Sequence, residues 1–141
     1  MILLDTNVLS ALMRDPPDPA VVRWLDQQPA ESIWTTSITV FEVRMGLALL
    51  PDGRRQRTLQ ALFELLLAED LQHRVLDFDS AAAARAAELA ARRQRAGRPV
   101  DMRDTQIAGI ALARHAAVAT RNVRHFGDLD VPVIDPWQQA V

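Results

Sequence analysis

The chain opens on four apolar residues, Met1-Ile2-Leu3-Leu4, which stop abruptly at Asp5. An apolar run this short, closed by an acid, reads as a strand buried on both faces, and strands of that kind belong to parallel sheets. A parallel sheet needs a crossover between neighbouring strands, so helices must follow. They do. Thr6 to Met13 has a helical pattern, broken by Asp15-Pro16-Pro17-Asp18-Pro19. Asp18 is placed to cap the next helix, with Pro19 in its first position, and that helix runs to about Gln28. Ser32 to Thr35 reads as a second strand. Ser37 caps a helix to about Leu50, and Arg54 to Leu71 forms a helix with a wide apolar stripe of Leu59, Leu62, Phe63, Leu65, Leu66 and Leu67.

The alternation continues to the end of the chain. Val75 to Phe78 is a third strand. Asp79 or Ser80 caps an Ala-rich helix closed by Gly97 and Pro99. Asp101 to His115 is a further helix, Ala117 to Ala119 a fourth strand, and Val131 to Ile134 a fifth. Strands alternating with helices predict an α/β fold, a three-layer α/β/α sandwich around a central parallel sheet. With 141 residues, no linker and no internal repeat, residues 1–141 read as one domain.

Composition narrows the chemistry. The chain has no Cys, which excludes a disulfide framework, thiol catalysis and Cys-based zinc sites. Its apolar runs are far shorter than the ~20 residues of a membrane span, and no basic segment opens it, so a soluble cytoplasmic protein is expected. The net charge of −2 is not that of a strongly basic nucleic-acid binder; it suits a protein that meets nucleic acid through metal ions or recruits a basic partner. All 16 cationic side chains counted as Lys or Arg are Arg. A GC-rich coding bias accounts for that and for the Ala runs, while Arg also offers bidentate phosphate contacts.

Most acids of such a chain are solvated surface charges, but three sit in apolar company. Asp5 ends the first strand, Glu42 lies between Phe41 and Val43 near the start of a helix, and Asp104 opens a helix that continues Ile107, Ala108, Ile110, Ala111. In open α/β sheets, ligands bind outside the carboxyl ends of the strands. Strand ends and the helix starts that follow them can bring the three acids together there. Converging carboxylates repel, and a hard divalent cation such as Mg²⁺ or Mn²⁺ resolves the conflict. The chemistry expected of such a centre is phosphodiester hydrolysis. Thr6, Asn7, Thr36, Ser37, Thr120 and Asn122 flank the acids and can orient them, or serve as ordinary helix caps.

Four segments resemble the motifs of PIN-domain proteins, in particular the VapC/FitB-like toxins of type II toxin–antitoxin systems. They are Met1-Ile2-Leu3-Leu4-Asp5-Thr6-Asn7-Val8-Leu9-Ser10, Ser37 to Gly46 with the acid at Glu42, Asp104 to Ala111, and Ala119-Thr120-Arg121-Asn122-Val123-Arg124-His125-Phe126, followed by Asp135-Pro136-Trp137. They occur in order along essentially the whole chain. The resemblance implies a Mg²⁺- or Mn²⁺-dependent ribonuclease whose metal-binding and catalytic acids are Asp5, Glu42 and Asp104, with Thr6, Asn7, Thr120, Asn122 and Asp101 in support. It also implies a cognate antitoxin, an RNA substrate, pairing into homodimers, a heterotetramer or larger complex with the antitoxin, and operator DNA contacted only through that antitoxin.

One departure stands out. Many relatives carry Asp where this chain has Asn122, which leaves one-metal chemistry open and keeps a second reading in view: a catalytically weak module that binds antitoxin or RNA. Asp101, three residues before Asp104, is either a further ligand on the same helix face or a helix cap. Arg44 is expected to pair with Glu42 or with another chain's acid. Arg92, Arg93, Arg95 and Arg98 are expected on a solvated helix face, or else along RNA. His73, His115 and His125 are expected to be structural or exposed, and Trp24, Trp34 and Trp137 to serve a core or an interface. A phosphatase of another α/β family finds no support, since Asp5-Thr6-Asn7 lacks a second Asp and no phosphate-cradling Gly loop occurs.

Overall fold

The computed structural model describes residues 1–138. Five strands, β1 (Ile2–Leu4), β2 (Ile33–Thr36), β3 (Val75–Leu76), β4 (Ala117–Ala119) and β5 (Val133–Ile134), form one parallel sheet in the order β3-β2-β1-β4-β5. Six α-helices connect them: α1 (Thr6–Leu12), α2 (Pro19–Asp26), α3 (Ser37–Ala48), α4 (Arg54–Leu65), α5 (Ser80–Arg95) and α6 (Met102–Arg114). The third and fifth strands are shorter than their apolar runs suggest, because only two residues of each pair with a neighbour.

Strand alternation assigns each residue of the sheet to one of two cores. Leu4, Ile33 and Ala119 point to a core closed by Val8 and Leu9 of α1, Val21 and Trp24 of α2, Val43 and Leu47 of α3, and Phe63 of α4. Leu3, Leu76 and Val118 point the other way, onto Ala82 and Leu89 of α5 and Ile107, Ala108 and Ile110 of α6. Both faces of the sheet are covered, as a parallel sheet requires.

Helix starts follow side-chain chemistry. Asp5, Asp18, Thr36, Asp79 and Asp101 cap their helices, each through a side-chain oxygen that accepts a backbone N–H. Thr36, not Ser37, caps α3: its hydroxyl accepts from Thr39 N at 3.1 Å, while Ser37 Oγ accepts from Phe78 N at 3.3 Å. The expected cap, Ser37, is thus one residue too far along, because adjacent hydroxyls both suit a cap by side-chain chemistry. Gly97 ends the α5 region at a φ of 70°, which a side chain would strain.

The Ala runs of α5 have a packing reason as well as any coding bias. A Cβ on Gly109 of α6 would lie 2.5 Å from Ala82 O and 2.6 Å from Ala86 Cβ. The two helices therefore touch backbone to backbone, and only small residues fit the seam. Of the broad stripe near α4, Phe63, Leu66 and Leu67 enter the core, whereas Leu62 and Leu65 remain 37% and 56% exposed. No helix among the described residues is long and apolar enough to cross a membrane.

Candidate metal centre

In this strand order the connections from β1 run one way, to β2 and β3, and the chain then crosses to β4 on the other side of β1. The carboxyl ends of β1 and β4 therefore flank the switch point, where an open α/β sheet leaves a crevice. Asp5 follows β1 and Thr120 follows β4. Asp5 N donates to Ala119 O at 3.0 Å, which extends the strand pairing up to the acid itself.

Asp5 is only 4% exposed. Thr120 Oγ1 donates to its Oδ2 at 2.8 Å, and Thr6 N donates to its Oδ1 at 2.8 Å. Thr120 is itself held, since its hydroxyl oxygen accepts from Asn122 N at 3.0 Å and from Asn7 Nδ2 at 3.4 Å. Asn7 Oδ1 accepts from Arg121 N at 3.0 Å. These bonds stitch the start of α1 to the segment after β4. Asn122 takes part through its backbone N–H. Burial pushes the Asp5 carboxyl above its ordinary value, against the lowering effect of the Thr120 and Thr6 donors, and the charge of Asp104 pushes it further up.

Glu42 joins from α3. Thr6 Oγ1 donates to its Oε1 at 3.1 Å, so one residue bonds both Asp5 and Glu42. Arg103 of α6 reaches Glu42 Oε2 at 3.5 Å and stacks 5.6 Å from the Phe41 ring. Asp104 joins from the first turn of α6. Its carboxyl is raised by burial, and by the charges of Asp101 and Glu42. His125 Nδ1 lies 2.5 Å from Asp104 Oδ2 and opposes that rise.

The three predicted acids therefore surround one sheet edge, where the charge of Asp104 raises the proton affinity of Asp5 and that of Glu42 raises the proton affinity of Asp104. They are not gathered into a finished cage: among the described residues no three carboxylate or imidazole groups stand ready to hold a metal ion. The donor set itself fits a hard divalent cation, with three carboxylates, one of them almost fully buried, and neighbouring charges that repel. Arg103 on Glu42 and His125 on Asp104 occupy part of that capacity.

Two expectations, on Arg44 and Arg93, are corrected here. Arg44 does not meet Glu42; it pairs with Glu64 at 2.6 Å and lies over Phe63. His125 is exposed, as expected, and in addition bonds to Asp104. Arg93 is not on a solvated face. It is 5% exposed and donates to Asp128 at 2.9 and 2.7 Å, to His125 O at 2.8 Å and to Thr105 Oγ1 at 3.3 Å. Arg93 so ties α5 to the first turn of α6 and to the turn that carries His125. Asp101 behaves as a cap, accepting from Asp104 N at 2.9 Å.

Arg103, His125 and the Arg93–Asp128 pair are the residues that sequence reasoning missed. For His125 a signal existed, because it stands in the segment leaving the carboxyl end of a strand, where binding residues concentrate. A run of Arg on an Ala-rich helix gives no such sign, since nothing in the spacing separates Arg93 from its exposed neighbours.

Residues 2–131 match the family model described as the PIN domain. Over 138 residues, 98% of this chain and 99% of the relative, the sequence is 43% identical to the plasmid stability protein StbB of Pseudomonas syringae pv. tomato. It is 39% identical to the VapC ribonuclease Y4jK of Sinorhizobium fredii, over 99% of this chain and 100% of that one. The structure superposes on that of FitAB bound to the IR36 DNA fragment with a TM-score of 0.89, at 36% identity, covering 100% of this chain and 99% of the other. Its solved neighbours are toxin–antitoxin complexes, some of them holding DNA. Matched along almost its whole length in both sequence and fold, the chain belongs to the PIN-domain family.

Proposed function

We propose that this protein is the toxin of a type II toxin–antitoxin pair, a Mg²⁺- or Mn²⁺-dependent endoribonuclease that hydrolyses RNA phosphodiester bonds, with Asp5, Glu42 and Asp104 as its metal-binding and catalytic acids. The observation that carries the reading is Asp5: a nearly fully buried carboxylate at the switch point of a parallel sheet, under the repulsion of a second acid. A chain selected for stability alone gains nothing from this arrangement. Relatives named as a VapC ribonuclease, a tRNA(fMet)-specific endonuclease and the toxin FitB support the same assignment.

Each residue has a distinct part. Thr120 and the Thr6 N–H hold both oxygens of Asp5, so its carboxylate keeps one orientation. Thr6 fixes Glu42 relative to Asp5, and His125 holds one oxygen of Asp104. Arg103 neutralises part of the charge on Glu42. Asn7 and Asn122 hold Thr120, and Asp101 caps the helix that presents Asp104. When bound to such a centre, a hard divalent cation polarises a phosphoryl oxygen and lowers the pKa of a bound water.

The partner reading rests on charge. A site with three carboxylates, only partly offset by Arg103 and His125, attracts a cationic side chain, so an antitoxin that inserts an Arg or Lys there blocks the enzyme. Leu62 and Leu65, exposed beside the core of α4, are surface for a second subunit or the antitoxin.

The test is cleavage of total cellular RNA by the purified protein with Mn²⁺ or Mg²⁺ and with a chelator. Metal-dependent cleavage that the cognate antitoxin suppresses supports the reading. Binding of antitoxin or RNA with no cleavage in either metal favours instead the weak binding module that Asn122 brings into view.

A further inference from the structure

A pocket of about 530 Å³ opens between α1 and the segment after β4, with Asn7, Ser10 and Arg14 on one side and Arg121, Asn122 and Trp137 on the other. Thr6 also lines it, and Thr6 bonds both Asp5 and Glu42, so the pocket adjoins the candidate metal centre. Its size falls in the usual range for small-ligand sites, ~300–1,000 Å³.

The walls are fixed. Asn7 Oδ1 accepts from Arg121 N at 3.0 Å. The Arg121 guanidinium lies 4.5 Å from the Trp137 ring centroid. Trp137 Nε1 donates to Asp18 Oδ2 at 3.0 Å, and Arg14 meets the same carboxylate at 3.6 Å. The lining thus offers two cations, one of which, Arg14, also meets Asp18 at its rim, an aromatic plane with a guanidinium stacked on it, two carboxamides and two hydroxyls. That combination is complementary to a phosphate attached to a flat, polar base.

The need for such an anchor is electrostatic. The chain carries a net charge of −2 and its candidate centre is lined by acids, so an RNA backbone is repelled unless cations flank the centre. We propose that this pocket seats one nucleotide of the RNA substrate beside the scissile bond, its phosphate against Arg14 and Arg121 and its base stacked on the Arg121–Trp137 pair. The proposal rests on the ribonuclease reading and extends it to the substrate's path.

The experiment is fluorescence anisotropy of a labelled 12-nucleotide RNA of mixed sequence, titrated at several salt concentrations with the wild-type protein and with Arg121→Gln and Arg14→Gln. Cleavage of total RNA and antitoxin binding are measured in parallel. The proposal expects Arg121→Gln to weaken RNA binding about tenfold, as loss of one stacked base does. It also expects each variant to flatten the log–log salt dependence by about 0.7, the contribution of one phosphate contact on a single strand. Antitoxin binding is expected to stay unchanged. Unaltered RNA affinity and salt slope in both variants, with wild-type cleavage intact, overturn the pocket alone. RNA binding unchanged with antitoxin binding lost makes the pocket a protein-docking surface and likewise overturns it. A wild-type protein that neither binds nor cleaves RNA overturns the ribonuclease reading and the pocket with it.

Discussion

Thr120 Oγ1 donates to Asp5 Oδ2 at 2.8 Å, joining residues 115 positions apart at the two strands that flank the switch point. Both side chains are buried. The bond points the hydroxyl proton at the carboxylate because Asn7 and Asn122 already donate to the threonine oxygen.

Removing that donor tests its role. Thr120→Val is expected to fold but to lose about 1–3 kcal/mol, since Asn7 and Asn122 keep donors with no acceptor. Its Mn²⁺ affinity is expected to fall about 10–100-fold, as when a group that orients a metal ligand is removed. Thr120→Ser restores the bond and should recover most of both. Chemical denaturation and Mn²⁺ calorimetry check the two effects separately.

The fold was largely legible in the sequence, and the reason is visible in particular residues. Strands such as Ile2–Leu4 are buried on both faces and so read as continuous apolar runs. Caps such as Asp18 and Asp79 announced helix starts by side-chain chemistry. Asp5, Glu42 and Asp104 stood out because each was an acid among apolar neighbours. What the sequence concealed was pairing across long separations. Arg93 and Asp128 are 35 residues apart, and Glu42 and Arg103 are 61 apart. Local periodicity carries no information on which of several Arg side chains turns inward.

That hidden pair gives a stability prediction with a pH signature. Two bonds from Arg93 hold the Asp128 carboxyl at about 2, well below the ordinary 3.8 of an aspartate. A carboxyl lowered in the folded state stabilises fully above its unfolded value and loses that contribution as pH falls through the folded one. The wild-type protein is therefore expected to lose stability between about pH 4 and pH 2 more steeply than Asp128→Asn. At pH 7, Arg93→Ala should cost about 1–3 kcal/mol, because Asp128 loses its buried partner and keeps only the exposed Arg98 at 3.0 Å. Thermal unfolding across pH checks both.

The Asp5 carboxyl predicts the opposite sign. Its folded value is raised, chiefly by burial, so the folded state holds the proton more tightly than the unfolded chain and loses stability as pH rises above 3.8. In metal-free buffer, Asp5→Asn loses the acceptor for Thr120 and starts less stable than the wild type near pH 3, and its stability relative to the wild type should rise toward pH 7. The N-cap role survives, since Asn caps about as well as Asp. Melting temperatures of the two proteins at a series of pH values, with chelator present, give the difference directly.

Packing of α5 on α6 is tested at Gly109. An alanine in a helix usually gains about 1 kcal/mol over glycine. Here its methyl would lie 2.5 Å from Ala82 O and 2.6 Å from Ala86 Cβ, so the helices must separate. Gly109→Ala is expected to destabilise by about 1–3 kcal/mol net, measured by urea denaturation. A gain in stability would show that the seam is looser than this.

The proposed function requires that Asp5, Glu42 and Asp104 hold a divalent cation on which RNA hydrolysis depends. Its most direct measurement combines Mn²⁺ calorimetry, thermal melting and RNA cleavage on wild-type protein and on Asp5→Asn. Asp5→Asn is expected to stay folded and to bind antitoxin normally, but to show little Mn²⁺ heat and to lose most metal-dependent cleavage. Cleavage by pure Asp5→Asn at the wild-type rate, with Mn²⁺ binding undiminished, would contradict it.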